Sequence, residues 1–290
     1  MAVSLPILGA HMSMAGGFDR AIERGHNVGC QCVQIFLKNN NQWRASEITD
    51  QDVEQLRAAV AQYDVDHLIA HSSYLINLAS PDKGLWKKSL DAFVIELHRA
   101  ERLRIPYVVL HPGAYTTSSE QAGLQRVVRA LDEIHRQTRG LQAMCLLENT
   151  AGQGTCLGWQ FEQLAAVLDG VRQPERLGVC FDTCHAFAAG YPLASESDYQ
   201  LSMRQLQQLV GLNRIKAIHL NDSKRELGSR VDRHEHIGRG HVGIQAFSRL
   251  LNDRRLRRVP MYLETPKGAD PKSRRPWDVI NLRRLRRLVQ

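Results

Sequence analysis

The sequence predicts an α/β fold, a (β/α)8 TIM barrel built as a single domain over residues 1–290. Three observations predict it: short apolar runs alternate with amphipathic stretches, the runs number eight, and nearly all hand over to a histidine or a carboxylate. Alternating strand and helix implies parallel strands joined by helical crossovers. Eight such units in a domain-sized chain favour closure, although an open doubly wound sheet shows the same alternation. No Gly-x-Gly-x-x-Gly opens a helix after the first run, which weakens the dinucleotide-binding version of that sheet.

Taken in order, Ile7–Ala10 hands over to His11, and Cys32–Leu37 leads into a polar loop from Lys38 to Arg44. Leu68–Ala70 ends at His71 and Tyr107–Leu110 at His111, with the helical pattern Asp91–Leu103 between them. Met144–Leu147 ends at Glu148 after the helical pattern Leu124–His135. Val179–Phe181 follows the pattern Phe161–Leu168 and ends at Asp182, with His185 three residues on. Ile215–Leu220 carries His219 and is followed by Asp222; Met261–Leu263 follows Ile244–Leu251 and ends at Glu264. Leu282, Leu285 and Val289 recur at helical spacing, so the arginine-rich C-terminal stretch reads as a last barrel helix with a solvated basic face.

In a parallel barrel the C-terminal strand ends converge on one face, so these distant residues become neighbours. For any one of them, a polar side chain where the chain surfaces is the blander and better reading. The set is different, because repeated imidazole with carboxylate is a donor set suited to zinc or manganese. Asp232 and His234, two apart in an extended segment, point the same way and enlarge it.

Lys and Arg number 38 against 30 Asp and Glu, a net charge of +8 that favours a polyanionic partner. No run approaches the roughly 18 apolar residues of a membrane span. The segment Met1 to Ser13 lacks the basic start of a signal peptide, so the cytoplasm is the expected location. The six cysteines do not show the paired C-x2-C spacing of a zinc ribbon and read as reduced, structural thiols.

Several segments carry a more specific signal. They are His71-Ser72-Ser73-Tyr74-Leu75-Ile76-Asn77-Leu78, Leu110-His111-Pro112-Gly113, and Leu147-Glu148-Asn149-Thr150-Ala151-Gly152-Gln153-Gly154. Gly178 to Tyr191, His219-Leu220-Asn221-Asp222-Ser223-Lys224, Gly228 to His234 and Leu263-Glu264-Thr265 complete them. In this order they resemble the endonuclease IV family of abasic-site (AP) endonucleases over nearly the whole chain. The resemblance implies a zinc-dependent endonuclease of DNA base-excision repair. Such an enzyme hydrolyses the phosphodiester 5′ to an abasic site in double-stranded DNA and leaves a 3′-hydroxyl and a 5′-deoxyribose phosphate. Cleaning of blocked 3′ ends is a further activity it implies.

The same resemblance implies three zinc ions, with manganese as an alternative at one site. His71, His111 and Glu148 would hold the first. Glu148 would bridge to the second, completed by Asp182, His219 and Glu264, and His185, Asp232 and His234 would hold the third. Glu148 and Glu264 are the candidate catalytic residues, Glu264 by orienting the attacking water and accepting its proton.

Tyr74 and Leu75 would enter the duplex at the lesion, where the stack is already broken. Asn41, Gln42 and an exposed Trp43 would contact DNA. Asn41 stands where some family members carry arginine, leaving Lys38 or Arg44 to supply charge. Arg233, with Lys224, Arg230 and Arg239, is a candidate for phosphate contacts, and Gly152 and Gly154 would let backbone pass close to the ions or the DNA. A monomer is expected, because the groove must accept bent duplex. Two rivals remain: a divalent-metal sugar isomerase or epimerase, which needs only Glu148, Asp182, His219 and Glu264, and a non-catalytic DNA-binding module.

Overall fold

The apolar runs fold into a closed ring of eight parallel strands, which excludes the open sheet. The structure, a computed structural model, describes residues 5–65 and 67–290, so the Met1–Ser4 part of the N-terminal reading lies outside it. The barrel strands are β1 (Leu8–His11), β2 (Cys32–Phe36), β3 (His67–His71), β4 (Tyr107–Leu110), β5 (Met144–Glu148), β6 (Leu177–Asp182), β7 (Ile215–His219) and β10 (Met261–Leu263). In the loop after β7, β8 (Asp222–Ser223) and β9 (His234–Glu235) form a small antiparallel hairpin. Among the described residues no helix is long and apolar enough to cross a membrane.

The helices are α1 (Phe18–Val28), α2 (Asp50–Tyr63), α3 (Lys83–Leu103), α4 (Glu120–Gln137), α5 (Phe161–Gly170), α6 (Thr183–Ala189), α7 (Glu196–Leu209), α8 (Ile244–Asn252) and, after the last strand, α9 (Trp277–Arg286). Side-chain caps set several starts. Thr49 and Asp52 form a reciprocal capping box on α2, and Ser119 and Ser195 cap α4 and α7. Helix α3 begins well before the apolar pattern at Asp91, because Asp82 accepts from the Leu85 amide at 2.7 Å. Asp182 caps α6 in the same way, accepting from the His185 amide at 2.7 Å.

Because side chains alternate across a strand, each barrel strand sends every second residue inward. Cys32, Ile69, Val109, Leu146, Cys180, Ala217 and Tyr262 meet there as one buried apolar cluster. Gly9 occupies the equivalent place on β1, where an added Cβ would lie 1.6 Å from the Cys32 carbonyl oxygen. The outward residues of the same strands, such as Val33, Ile35, Leu147 and Val179, pack with the helices in a second and larger core. The barrel interior is therefore plugged, and whatever lies above the plug has a dry floor.

Candidate metal centre

Two residues beyond each inner apolar position the alternation brings the next inward side chain. On the eight strands these are His11, Gln34, His71, His111, Glu148, Asp182, His219 and Glu264. All are polar, and Gln34, Glu148, Asp182 and His219 are fully buried. Register holds neighbours level, with Asp182 beside His219. The hairpin adds two more: His234 pairs with Ser223, which swings it and Asp232 over the mouth. Asp222 fixes that loop by accepting from the amides of Gly238, Gly240 and Val242 at 2.8–3.0 Å.

Nine side chains gather into three groups whose donor atoms lie within 4.8 Å of one another: His71, His111 and Glu148; Glu148, Asp182, His219 and Glu264; His185, Asp232 and His234. Glu148 belongs to two of them. Its Oε2 lies 3.2 Å from His71 Nε2 and 3.1 Å from His111 Nε2, while Oε1 lies 2.9 Å from His219 Nδ1. His219 Nδ1 is also 3.2 Å from Glu264 Oε2 and 3.8 Å from Asp182 Oδ2. In the third group, Asp232 lies 3.2 Å from His185 Nε2 and 3.4 Å from His234 Nε2. Two donors about 2.1 Å from a tetrahedral ion stand ~3.4 Å apart, so this spacing fits shared cations.

Each of four rings is turned by a bond at its other nitrogen. His71 Nδ1 donates to the Ser72 carbonyl at 2.8 Å, His185 Nδ1 to the Asn149 carbonyl at 2.9 Å, and His234 Nδ1 to the Glu264 carbonyl at 3.2 Å. His219 Nε2 donates to Gln34 Oε1 at 2.8 Å, and the Gln34 amide in turn donates to Glu264 Oε1 at 2.5 Å and His11 Nδ1 at 2.9 Å. One amide thus fixes the tautomer of His219 and leaves its Nδ1 free for the group. Asn221 donates to Asp182 Oδ2 at 2.6 Å and accepts from the Glu264 amide at 2.8 Å. Asn149 exchanges two bonds with the Asp182 backbone.

Burial alone would raise the Glu148 carboxyl, but His219 and His111 outweigh it and hold it well below the ordinary carboxylate range. Burial likewise opposes a charge on His185, yet Asp182 and Asp232 raise it well above its usual value. His71 is raised by Glu148 against the same penalty. The buried imidazoles and carboxylates therefore stabilise one another as opposite charges, a role cations can assume. Two atoms fit a bound cation: His185 Nε2 and His234 Nε2 are buried, make no well-aligned hydrogen bond, and face Asp232 in the third group. Asp182, Cys184 and His234 form a further cluster, but burial and Asp182 push the Cys184 thiol up to about 12, against the thiolate a metal needs.

Above the groups opens a cavity of about 430 Å³, lined by His71, Tyr74, His111, Asp232, His234 and Glu264 among others. Tyr74 stands on its edge, 60% exposed and edge-on to Phe36 and His71, with Leu75 half-buried beside it. Asn41, Gln42, Arg44 and Arg233 are exposed on the surrounding loops.

Three rim expectations need correction. Trp43 is not exposed: it packs on the core with Lys88 Nζ 4.5 Å above its ring. Lys38 supplies no free charge, because it is buried, donates to the Gln42 carbonyl at 2.6 Å and faces Glu96 at 3.6 Å. Arg230 stays a candidate for phosphate contact: it is exposed, its Nε donates to the Gly152 carbonyl at 3.0 Å and its guanidinium lies 4.2 Å over the Trp159 ring. Gly152 is needed for that packing rather than for an approach to ions or DNA, since a Cβ there would lie 2.7 Å from the Trp159 ring.

Gln34, Asn149 and Asn221 escaped the sequence reading, and His11 received no role in it. Counting by twos from Cys32 would have found Gln34.

Residues 22–287 match the model of the xylose isomerase-like TIM-barrel family. A protein of Chloroflexus aurantiacus described as a probable endonuclease 4 is 48% identical over 286 residues, 99% of each chain. The crystal structure of endonuclease IV from Thermus thermophilus superposes with a TM-score of 0.85 at 36% identity, covering 98% of both chains. A D-tagatose 3-epimerase-like protein superposes at 0.73 with 18% identity over 97% of this chain and 96% of its own, a likeness of fold alone. With identity of this extent along its whole length, the chain belongs to the endonuclease IV family within the xylose isomerase-like TIM barrels.

Proposed function

We infer that the chain is a metal-dependent AP endonuclease, which hydrolyses the phosphodiester 5′ to an abasic nucleotide in duplex DNA. The observation that carries this reading is the convergence of nine donor side chains, in three groups of which two share Glu148, on the floor of one open cavity. We assign one ion to each group, three zinc ions in all, with manganese an alternative at one. When bound, such cations neutralise charge on the phosphate and ease the deprotonation of water near neutral pH.

The chain's own residues do the rest. Glu148, with its two oxygens facing different groups, holds the first two groups at a fixed separation. Glu264 has Oε1 tied to the Gln34 amide, so Oε2 is aimed at the group and can orient the attacking water and take its proton. His185, Asp232 and His234, which sit next to Glu148 and Asp182, attend the departing 3′-oxygen. Tyr74 and Leu75 enter the duplex where the missing base leaves no stack to break. Products are a 3′-hydroxyl and a 5′-deoxyribose phosphate, and the same site accepts blocked 3′ ends. A single chain, acting as a monomer in a reducing cytoplasm, suffices, since all nine donors and six free thiols belong to it.

The test combines elemental analysis with a duplex carrying one abasic site. About three zinc ions per chain and a single nick 5′ to the lesion are expected. One ion per chain with epimerisation of a ketose and no nick would replace this reading with the sugar-epimerase one.

A further inference from the structure

Away from the cavity, a groove of about 520 Å³ runs between α9 and the loops that precede it and follow β9. Arg283 and Arg284 on the last turn of α9 and Arg287 at its C-cap, three and four residues on, line the groove together, with Arg275 and Arg239 joining them from the loops. Among the described residues none of these five arginines is paired with a carboxylate. The single acid on the lining, Asp270, accepts from the Ser273 amide at 2.8 Å and also faces Arg239. Two of the five are already positioned by other bonds: Arg284 donates to the Ile237 carbonyl, and the Arg239 guanidinium lies 4.5 Å over the Trp277 ring. Arg275, Arg283 and Arg287 are exposed.

The groove is joined to the metal centre. Trp277 forms its wall and stacks at 3.8 Å on His236, two residues from His234 in the same loop. Five guanidiniums against one carboxylate leave an excess of positive charge that raises the local potential and favours a polyanion. The helix arginines, Arg283 to Arg287, span about 6 Å at 1.5 Å per residue, and Arg239 and Arg275 widen the patch from the loops, enough to meet adjacent phosphates of one DNA strand.

We propose that this groove is a second phosphate-binding site, which takes the sugar-phosphate backbone of the duplex away from the lesion. The proposal rests on the AP-endonuclease reading and extends it to a part of the molecule the cavity does not include. The guanidiniums contact phosphates only, so the contribution is independent of sequence and strongly dependent on salt.

The experiment uses the metal-loaded protein with Arg283→Gln and Arg287→Gln together, folding being checked by circular dichroism and metal content. Two abasic duplexes serve as probes, one of about 40 base pairs and one trimmed to about five on each side of the lesion, ~17 Å at 3.4 Å per step. The wild type is expected to bind the long duplex more tightly than the trimmed one, and the variant to lose that advantage, about tenfold at moderate salt. The slope of log affinity against log salt on the long duplex should fall by about 2, near 0.9 per phosphate released. Nicking of the trimmed duplex should be unchanged.

An unchanged slope and an unchanged long-to-trimmed ratio in the variant would overturn the proposal. So would an unchanged DNA slope with lost binding of polyglutamate, which would make the groove a site for an acidic protein. Failure of the wild type to nick either duplex would instead strike the AP-endonuclease reading itself.

Discussion

The two inward layers of the barrel use the same strands and the same face, yet their chemistry is opposite. Below lie Cys32, Ile69, Val109, Leu146, Cys180, Ala217 and Tyr262; two residues further along each strand come Gln34, His71, His111, Glu148, Asp182, His219 and Glu264. The lower layer contributes volume and excludes water. The upper layer gathers charge that would be costly to bury without a partner. The comparison teaches that the polar layer is stable where it is because each of its members is another's partner, or a cation's, above a floor that admits no solvent.

Breaking the upper layer at its shared member should do most damage. Glu148→Gln removes charge from two groups at once, so nicking should fall by far more than the about 100-fold typical of an altered outer partner. Bound metal, counted in the same preparation, should fall with it. Near-normal turnover would remove the bridging assignment.

Gln34→Ala leaves all nine donors but frees the ring of His219 and one oxygen of Glu264. Metal affinity or rate should drop by about 10- to 100-fold. Titration with a chelator separates the two effects, and an unchanged affinity and rate would show that the amide is filler.

Breaking the lower layer should act on stability rather than chemistry. Leu146→Ala opens a cavity in a fully buried position and should cost about 2–5 kcal/mol in chemical denaturation. Well below the transition, metal content and turnover should persist; their loss in the folded variant would show that the floor shapes the groups directly.

Acidity sharpens the comparison. In the metal-free chain His71 and His185 titrate above their ordinary value, so the stability they contribute is complete below about pH 6.5 and is lost as pH rises through their raised folded values. Cations compete for the same atoms, so the rise in Tm on adding zinc should grow over that window. A gain that shrinks from pH 6.5 upward would contradict it.

Smallest of all, Tyr74→Ala with Leu75→Ala should weaken binding to abasic duplex and leave metal content intact. Equal affinity in a gel-shift titration would end the wedge assignment.

Much of the site was legible because a strand end is a local event. A run of apolar residues stops, the next side chain is an imidazole or a carboxylate, and the barrel gathers the ends. The rule failed on β2, where the apolar run continues through Leu37 because Ile35 and Leu37 pack outward among the helices. There the end of the run points to Lys38, while parity points to Gln34. The misread rim residues share a different cause: Lys38 meets Glu96 of α3, and Trp43 meets Lys88 of the same helix, contacts far along the chain that no local pattern announces. Likewise α9 reads alone as a helix with a solvated basic face. Only the placement of Arg239 and Arg275 beside it makes that face one wall of a groove.

Asp182 illustrates how closely scaffold and centre are joined. Elsewhere the opening residue of a helix can be exchanged among serine, threonine, asparagine and aspartate at little cost. At α6 that freedom is closed, because the oxygen that holds the His185 amide shares its carboxylate with the oxygen turned toward His219 and His234. A neutral replacement could start the turn equally well and would still strip a negative charge from the cluster, so local folding and chemistry would answer to one side chain.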